Sequence, residues 1–210
     1  RLVVEPIPRS GVAIARNRGV DRATGDVVVF LDDDVVPDAD CLAIHALAHA
    51  EGAADIVLGY APPVVGVDWW SVVLRAWWED HFRRKADRSL PLRWSDVVTL
   101  NSSFARKTLR ELGGFDPTYA RRHEDWELGI RAVEQGLKLA YDSRAIAAHH
   151  LDTSLEGAVH RARDEGRADV LLARSYPAVT LELPLASQLG RASADLCAQS
   201  AELEKAATYE

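Results

Sequence analysis

The 210-residue chain has no methionine, only two cysteines and no long apolar run. Cys41 and Cys197 lie far apart and in no metal-ligand spacing, which indicates free, buried thiols in a reducing compartment, here the cytoplasm. The lack of about 18 consecutive apolar residues argues against a membrane-spanning helix. A formal net charge of −7 argues against a general nucleic-acid binder. With 48% hydrophobic residues, the chain can form the core of one domain plus a tail.

The stretch with the clearest pattern is an apolar strand that ends in three acids. Residues Val27–Leu31 are all apolar, which is typical of a strand buried on both faces, and Asp32, Asp33 and Asp34 follow directly. Ligands of open α/β sheets bind beyond the carboxyl ends of the strands. Adjacent carboxylates repel one another, and a divalent cation that prefers oxygen ligands relieves this repulsion. The alternative is a polar turn in which one aspartate caps the next helix.

Strand and helix patterns alternate along most of the chain. The alternation predicts an α/β fold with a largely parallel sheet and helices on both faces. Residues 1–150 form the predicted core domain, and residues 151–210 form a helical extension with helices at 156–173 and 186–208. The predicted strands of the core are 2–4, 27–31, 56–60, 97–100 and 137–148, and its predicted helices are 10–22, capped by Ser10, then 41–51, 68–82, 107–112 and 124–136.

Four of the six tryptophans lie in the predicted helix 68–82. The pairs Trp69-Trp70 and Trp77-Trp78 are spaced so that they fall on one side of a helix. This side is an aromatic platform for a sugar or lipid acceptor, an interfacial membrane helix flanked by basic residues, or a face packed inward on the domain. The sequence leaves these three alternatives open.

A second acidic cluster begins the predicted helix 124–136. Glu124 and Asp125 occupy its first turn, where the helix dipole favours negative charge, so they serve either as a good helix start or as a functional pair. His149 and His150 end the last predicted strand of the core, where a histidine can bind a metal ion. Only the fold can bring the two acidic clusters together, and we expect them to line one cleft at one sheet edge.

These segments, in their order and spacing, resemble the family 2 glycosyltransferases of the GT-A type. The resemblance covers about residues 1–150. It implies a Rossmann-like GT-A core. The family's first two strands, with the acidic residue that recognises the nucleotide base, have no counterpart in residues 1–150. We therefore expect either that these residues precede residue 1 or that the chain lacks part of the nucleotide pocket. The matching segments are GVAIARNRG (11–19), ATGD (23–26), FLDDD (30–34), NSSF (101–104), GGFD (113–116) and EDWEL (124–128).

The resemblance also implies roles for the site residues. Asp34 takes the place of the family's metal-binding aspartate on the donor diphosphate, and Asp32 is expected to contact either the ribose of the donor or the metal shell. Asp125 takes the place of the catalytic base. Either His149 or His150 completes the metal site. The remaining residues expected at the nucleotide-sugar donor are Asp33, Arg16, Asn101, Gly114, Glu124 and Trp126.

The implied activity is an inverting, metal-dependent sugar transfer that uses Mg²⁺ or Mn²⁺. The expected donor is a nucleotide-diphosphate sugar, with a UDP-sugar first, and the expected acceptor is a saccharide or a lipid-linked molecule. A peripheral membrane contact and a homodimer are further expectations. The alternatives are a nucleotidyltransferase-like enzyme and a non-catalytic domain that binds a partner or a membrane.

Overall fold

The computed structural model describes residues 3–8, 10–52, 54–186 and 188. The chain divides into two compact units, with the boundary between Ala158 and Val159. The first unit contains the sheet with its helices. The second contains most of a long helix and the short 3-10 helix Pro177–Glu182. The domain boundary predicted at residue 150 stays a prediction.

Helices and strands alternate through the first unit, as expected for an α/β protein. A 3-10 helix, Trp94–Asp96, precedes the fifth strand. The helices are α1 (Val12–Arg22), α2 (Cys41–Ala50), α3 (Trp69–Ala86), α4 (Arg106–Glu111), α5 (Glu124–Glu134) and α6 (Leu155–Ser175). The strands are β1 (Val27–Leu31), β2 (Val35–Pro37), β3 (Ile56–Tyr60), β4 (Pro63–Val64), β5 (Asn101–Ala105) and β6 (Leu139–His150).

The described strands form one mixed sheet in the order β1-β5-β3-β6-β2, with β4 also paired to β6. Strands β3 and β4 pair with β6 in parallel, whereas β5 is antiparallel to both β1 and β3, and β2 is antiparallel to β6. The α/β fold class with flanking helices is therefore confirmed, but the expectation of largely parallel pairing is wrong for β5 and β2. Strand β5 is antiparallel to β1 because it begins at the edge of the sheet where β1 ends, so that Asn101 lies opposite Leu31.

Two groups of buried apolar side chains hold the helices to this sheet. One group joins the strands to α1, α4 and α5, and it includes the fully buried Phe104 and Leu128. The other joins them to α2 and α3 and includes Cys41, which is buried as predicted. Burial of this apolar surface is the main favourable term in the folding of the domain.

Several local predictions were wrong. Val3 and Val4 form no strand and are 68% and 79% exposed, because no neighbouring strand pairs with them. Gly11, at φ 87°, precedes α1 in the capping position, whereas Ser10 was the predicted cap. The strand expected at 97–100 begins only at Asn101, since burial between β1 and β3 outweighs the low strand propensity of asparagine and serine. Leu2, the helix predicted at 186–208 and Cys197 lie outside the described residues, apart from residues 186 and 188.

Candidate active site

The carboxyl ends of three strands meet at one edge of the sheet. Strands β1, β3 and β6 run in the same direction, so the Asp32-Asp33-Asp34 turn after β1 lies at the same edge as the end of β6. The backbone N–H of Val35 donates to the carbonyl oxygen of Asp32 at 3.1 Å, which closes the acidic turn. The chain then enters β2, where Val35 stands opposite His149.

Arg16 links the two acidic clusters. Its Nη2 lies 3.1 Å from Asp32 Oδ1, and its Nη1 donates to Glu124 Oε1. The Arg16 side chain is 15% exposed and lies over the Phe115 ring, 5.6 Å from the ring centroid. A guanidinium shared by two carboxylates offsets their mutual repulsion. The expectation that both acidic clusters meet at one edge therefore agrees with the geometry.

Asp125 lies next to this ion-pair cluster, in the first turn of α5. Its Oδ1 accepts the N–H of Trp126 at 2.9 Å, and its Oδ2 accepts the N–H of Thr99 at 3.4 Å. Burial and the neighbouring Glu124 carboxylate raise the pKa of Asp125 to about 6, against the opposing effect of Arg16. A carboxylate with a pKa near neutrality can accept a proton efficiently at physiological pH.

The residues on either side of Asp125 hold the start of α5 in place. His123, which precedes the helix, has a left-handed backbone at φ 66° and is 8% exposed. Its ring stacks on Trp126 at a centroid distance of 4.2 Å, and Trp126 also contacts the edge of Trp94 at 5.5 Å. Trp126 is half-buried in these protein contacts. Its expected contact with the donor stays a prediction.

Asp34 and His149 form a pair at the end of β6. His149 Nε2 lies 3.4 Å from Asp34 Oδ2, and the edge of Trp78 packs on the imidazole at 5.2 Å. Successive side chains of a strand point to opposite faces, so His150 does not share the face of His149. The His150 side chain is exposed, and the backbone N–H of His150 donates to the carbonyl oxygen of Asp34 at 2.8 Å. The geometry thus distinguishes between the two histidines, which the sequence left open.

The Asp34–His149 pair fits part of a metal site. Carboxylate oxygen suits Mg²⁺ and Mn²⁺, and imidazole is a common ligand of transition metals. Among the described residues, no group of three or more His, Cys, Asp or Glu side chains is arranged to hold a metal ion. A cation bound here would need further oxygens from a substrate, which is the usual situation of Mg²⁺ at nucleotide sites. Asp33 is exposed beside this pair.

Two residues expected at the donor are occupied by protein contacts. Asn101 is 3% exposed, and its side chain bonds the carbonyl oxygens of Tyr60 and Ala145. It begins the buried strand β5. Gly114 has φ 73°, and a side chain there would lie 2.6 Å from Asn17 Oδ1. Its carbonyl oxygen accepts a hydrogen bond from Arg131 Nη2 at 2.7 Å, so Gly114 stabilises the turn in which it lies.

Helix α3 carries the two tryptophan pairs that the sequence analysis singled out. Trp69 and Trp77 are 66% and 60% exposed, whereas Trp70 and Trp78 are half-buried, so only one of each pair faces solvent.

Lys85 is 5% exposed, and its Nζ makes no hydrogen bond within the described part of the chain. Burial lowers the pKa of Lys85 to about 8, against the attraction of Asp96 and Asp125. No sequence signal distinguishes this lysine from its exposed basic neighbours.

The fold and the site together define an α/β protein with two acidic clusters at one ligand-binding sheet edge. Residues 1–113 match the family described as Glycosyl transferase family 2. The chain therefore belongs to glycosyl transferase family 2. This placement argues against the nucleotidyltransferase alternative.

One similar protein is named as a glycosyltransferase. The chain is 30% identical over 178 residues to the pre-mycofactocin glycosyltransferase of Mycobacterium tuberculosis, covering 82% of this chain and 37% of that protein. It thus spans well under half the length of this relative.

Two solved structures resemble the fold. The mannosyltransferase PcManGT of Pyrobaculum calidifontis, in complex with GDP-Man and Mn²⁺, has a TM-score of 0.58 at 21% identity over 95% of this chain and 61% of that one. S. aureus TarS 1-349 in complex with UDP has a TM-score of 0.51 at 15% identity over 79% of this chain and 46% of that one. In the described part of this chain, no helix is long and apolar enough to cross a membrane.

Proposed function

We propose that this chain forms the catalytic core of an inverting, metal-dependent glycosyltransferase. It moves a sugar from a nucleotide-diphosphate sugar to an acceptor hydroxyl group. The observation that carries the proposal is the pairing of Arg16 with both Asp32 and Glu124, which links the acidic turn that contains Asp34 to the helix start that contains Asp125. The family and the GDP-Man and UDP complexes of similar structures support this donor class.

Asp125 is the proposed general base. The acceptor hydroxyl gives its proton to the Asp125 carboxylate, and its oxygen forms the bond to the anomeric carbon. The bond between this carbon and the diphosphate oxygen breaks, and its electron pair leaves with the diphosphate. Attack on the face opposite the leaving group inverts the anomeric configuration. The raised pKa of Asp125 suits proton acceptance near neutral pH.

The residues around Asp125 prepare the site for this transfer. Arg16 holds Asp32 and Glu124 together, and its positive charge offsets the repulsion between these two carboxylates. Asp34 and His149 are the proposed protein ligands of Mg²⁺ or Mn²⁺. When bound, such a cation supplies Lewis-acid stabilisation of the negative charge on the leaving diphosphate.

Nucleotide titrations test the donor half of this proposal. UDP, GDP and dTDP are titrated calorimetrically into the wild type, Asp34→Asn and Asp125→Asn, each with and without Mn²⁺. We expect one nucleotide to bind in a metal-dependent way, at least ten-fold more weakly in Asp34→Asn and within about three-fold of wild type in Asp125→Asn. Asp26→Asn is the matched control, because Asp26 precedes β1 at the opposite edge of the sheet.

Turnover measurements test the catalytic half. With the sugar donor that the titrations select, Asp125→Asn is expected to lose a factor of about 10²–10⁴ in turnover, the usual contribution of a general base. The anomeric configuration of the product, read by NMR, should be opposite to that of the donor. Turnover near wild type in Asp125→Asn, or a retained configuration, contradicts the mechanism. If the nucleotide binds with the same affinity with and without Mn²⁺, the proposed role of Asp34 as a metal ligand is contradicted.

A further inference from the structure

Asn101 holds together two strands that end at the candidate site. It is the first residue of β5 and is 3% exposed. Its Nδ2 donates to the carbonyl oxygen of Tyr60, at the end of β3, at 3.0 Å, and to that of Ala145, within β6, at 2.8 Å. One side-chain amide therefore satisfies two backbone acceptors that belong to different strands.

These two carbonyl groups lie at an irregularity of the sheet. Gly59 pairs with Asp142, whereas the next residue of β3, Tyr60, pairs with Ile146, so β6 bulges at residues 143–145. Carbonyl groups at a bulge lose their ladder partners, and a buried carbonyl without a partner is costly. A side chain at Gly59 would lie 2.6 Å from the Ala145 oxygen and closer still to Asn101 Nδ2, so only glycine leaves room for this amide.

The opposite side of the Asn101 amide is fixed by a buried chain of hydrogen bonds. Asn101 Oδ1 lies 3.0 Å from His45 Nε2, and His45 Nδ1 lies 2.8 Å from Ser103 Oγ. Because Nδ2 faces two carbonyl oxygens, Oδ1 must accept, so His45 carries its proton on Nε2 and accepts the Ser103 hydroxyl at Nδ1. Ser103 Oγ in turn accepts His49 Nε2 at 2.9 Å. Burial lowers the pKa of His45, which favours the neutral ring that this arrangement needs.

Beyond the bulge, β6 leads directly to the Asp34–His149 pair. Its Ile146 carbonyl accepts Asp38 N–H at 3.0 Å, and His149 N–H donates to Pro62 O at 2.9 Å. His150 N–H donates to the Asp34 carbonyl at 2.8 Å. The direction in which β6 leaves the bulge therefore decides where the His149 imidazole stands relative to Asp34.

We infer that Asn101 is a positioning residue of the candidate site, which fixes the bulge of β6 and thereby places His149 beside Asp34. This inference rests on the proposed function for the metal role of that pair. It assigns to Asn101 a task different from donor contact, since both of its polar atoms are engaged by protein groups.

Hydrogen exchange followed by mass spectrometry tests the structural half of this inference. The measured quantity is the exchange rate of amides 146–150 relative to that of amides 27–31 in β1. We expect this ratio to rise at least ten-fold in Asn101→Ala. The destabilised control is Leu109→Ala, which removes a fully buried side chain of α4 from the core group that packs against Val28 and Phe30 of β1, and which should not raise the ratio. Ser102→Ala is the neighbouring control in β5, since the buried Ser102 hydroxyl has no hydrogen-bond partner in the described part of the chain.

Calorimetry with the nucleotide that binds best tests the functional half. Below the unfolding transition of every variant, Asn101→Ala should weaken the Mn²⁺-dependent binding about ten-fold and leave the metal-free binding within about two-fold. If Asn101 contributes only to stability, Asn101→Ala and the destabilised control Leu109→Ala should each weaken the Mn²⁺-dependent and the metal-free binding to the same extent. That result overturns the inference, as does an unchanged exchange ratio in Asn101→Ala.

A second variant keeps the test decisive if Asn101→Ala does not fold. His45→Phe keeps an aromatic ring and removes the hydrogen bond from His45 Nε2 to Asn101 Oδ1, so the exchange ratio should rise by about three-fold. An unchanged ratio in this variant overturns the inference. ¹⁵N NMR of His45 should show the Nε2–H tautomer, and the Nδ1–H tautomer contradicts the hydrogen-bond direction. If the exchange ratio rises but the wild type binds no nucleotide with Mn²⁺, the proposed function fails while the strand placement stands.

Discussion

Gly129 lies in α5 at the point where this helix approaches the segment before β5. A Cβ atom at residue 129 would lie 3.0 Å from Val97 Cβ and 3.1 Å from the Trp94 carbonyl carbon, and closer still to the Trp94 oxygen. Real Cβ atoms almost never come this close to a backbone carbonyl. Gly129→Ala must therefore push α5 away from residues 94–97, which also carry the chain to Thr99 beside Asp125.

The expected cost follows from two opposing effects. Alanine is favoured over glycine inside a helix by roughly 0.5–1 kcal/mol. Overpacking of a tight interior costs about 1–3 kcal/mol, and the upper end applies here because the clash is with backbone. The net destabilisation is about 2 kcal/mol. For a chain of this size that corresponds to a fall in melting temperature of roughly 4–8 °C.

Gly19→Ala in α1 is the matched control. A Cβ there meets nothing within 4 Å, so only the helix propensity changes, and the melting temperature should rise by about 2 °C. Thermal unfolding followed by circular dichroism compares the two variants with the wild type. A melting temperature of Gly129→Ala at or above that of the wild type would refute the close packing of α5 on Trp94.

Three further predictions concern charge and surface. Because the base must be ionised, turnover should rise with pH, with its acidic midpoint near the raised Asp125 pKa of about 6; a flat profile between pH 5 and 7 contradicts this. The pKa of His81 falls from 6.5 to about 3 because of burial first and then the charges of Lys85 and Arg84. As the pH drops below 6.5, the histidine is protonated in the unfolded chain but not in the folded one, so the free energy of unfolding should fall. Urea unfolding at pH 7 and pH 5 should show a smaller fall in His81→Phe, and an equal fall refutes the assignment. If the exposed Trp69 and Trp77 contact membranes, the wild type should float with anionic vesicles at low salt and a Trp69→Ser, Trp77→Ser double variant should not; no flotation of the wild type removes the membrane prediction.

The family and the positions of most elements could be predicted because they depend on local patterns. Val27–Leu31 and Ile56–Tyr60 are strands in the predicted positions, since their apolar runs are bounded by turn residues. Helix α2 spans nearly the predicted residues and ends before Gly52, whose φ of 65° suits glycine. Helix α5 likewise begins at Glu124 and ends before Gly136. Each of these features depends only on residues that are close to it in the sequence.

The sequence by itself determined the α/β class, the acidic clusters and the candidate base, whereas the tertiary structure decided how they are connected. Only the fold shows that Arg16 bridges Asp32 and Glu124, that His149 rather than His150 faces Asp34, and that Asn101 bonds strand carbonyls. These contacts join residues far apart in the chain, and they depend on strand order, strand direction and the bulge in β6. No local period or spacing encodes those properties, because they arise from packing and hydrogen bonding between distant segments.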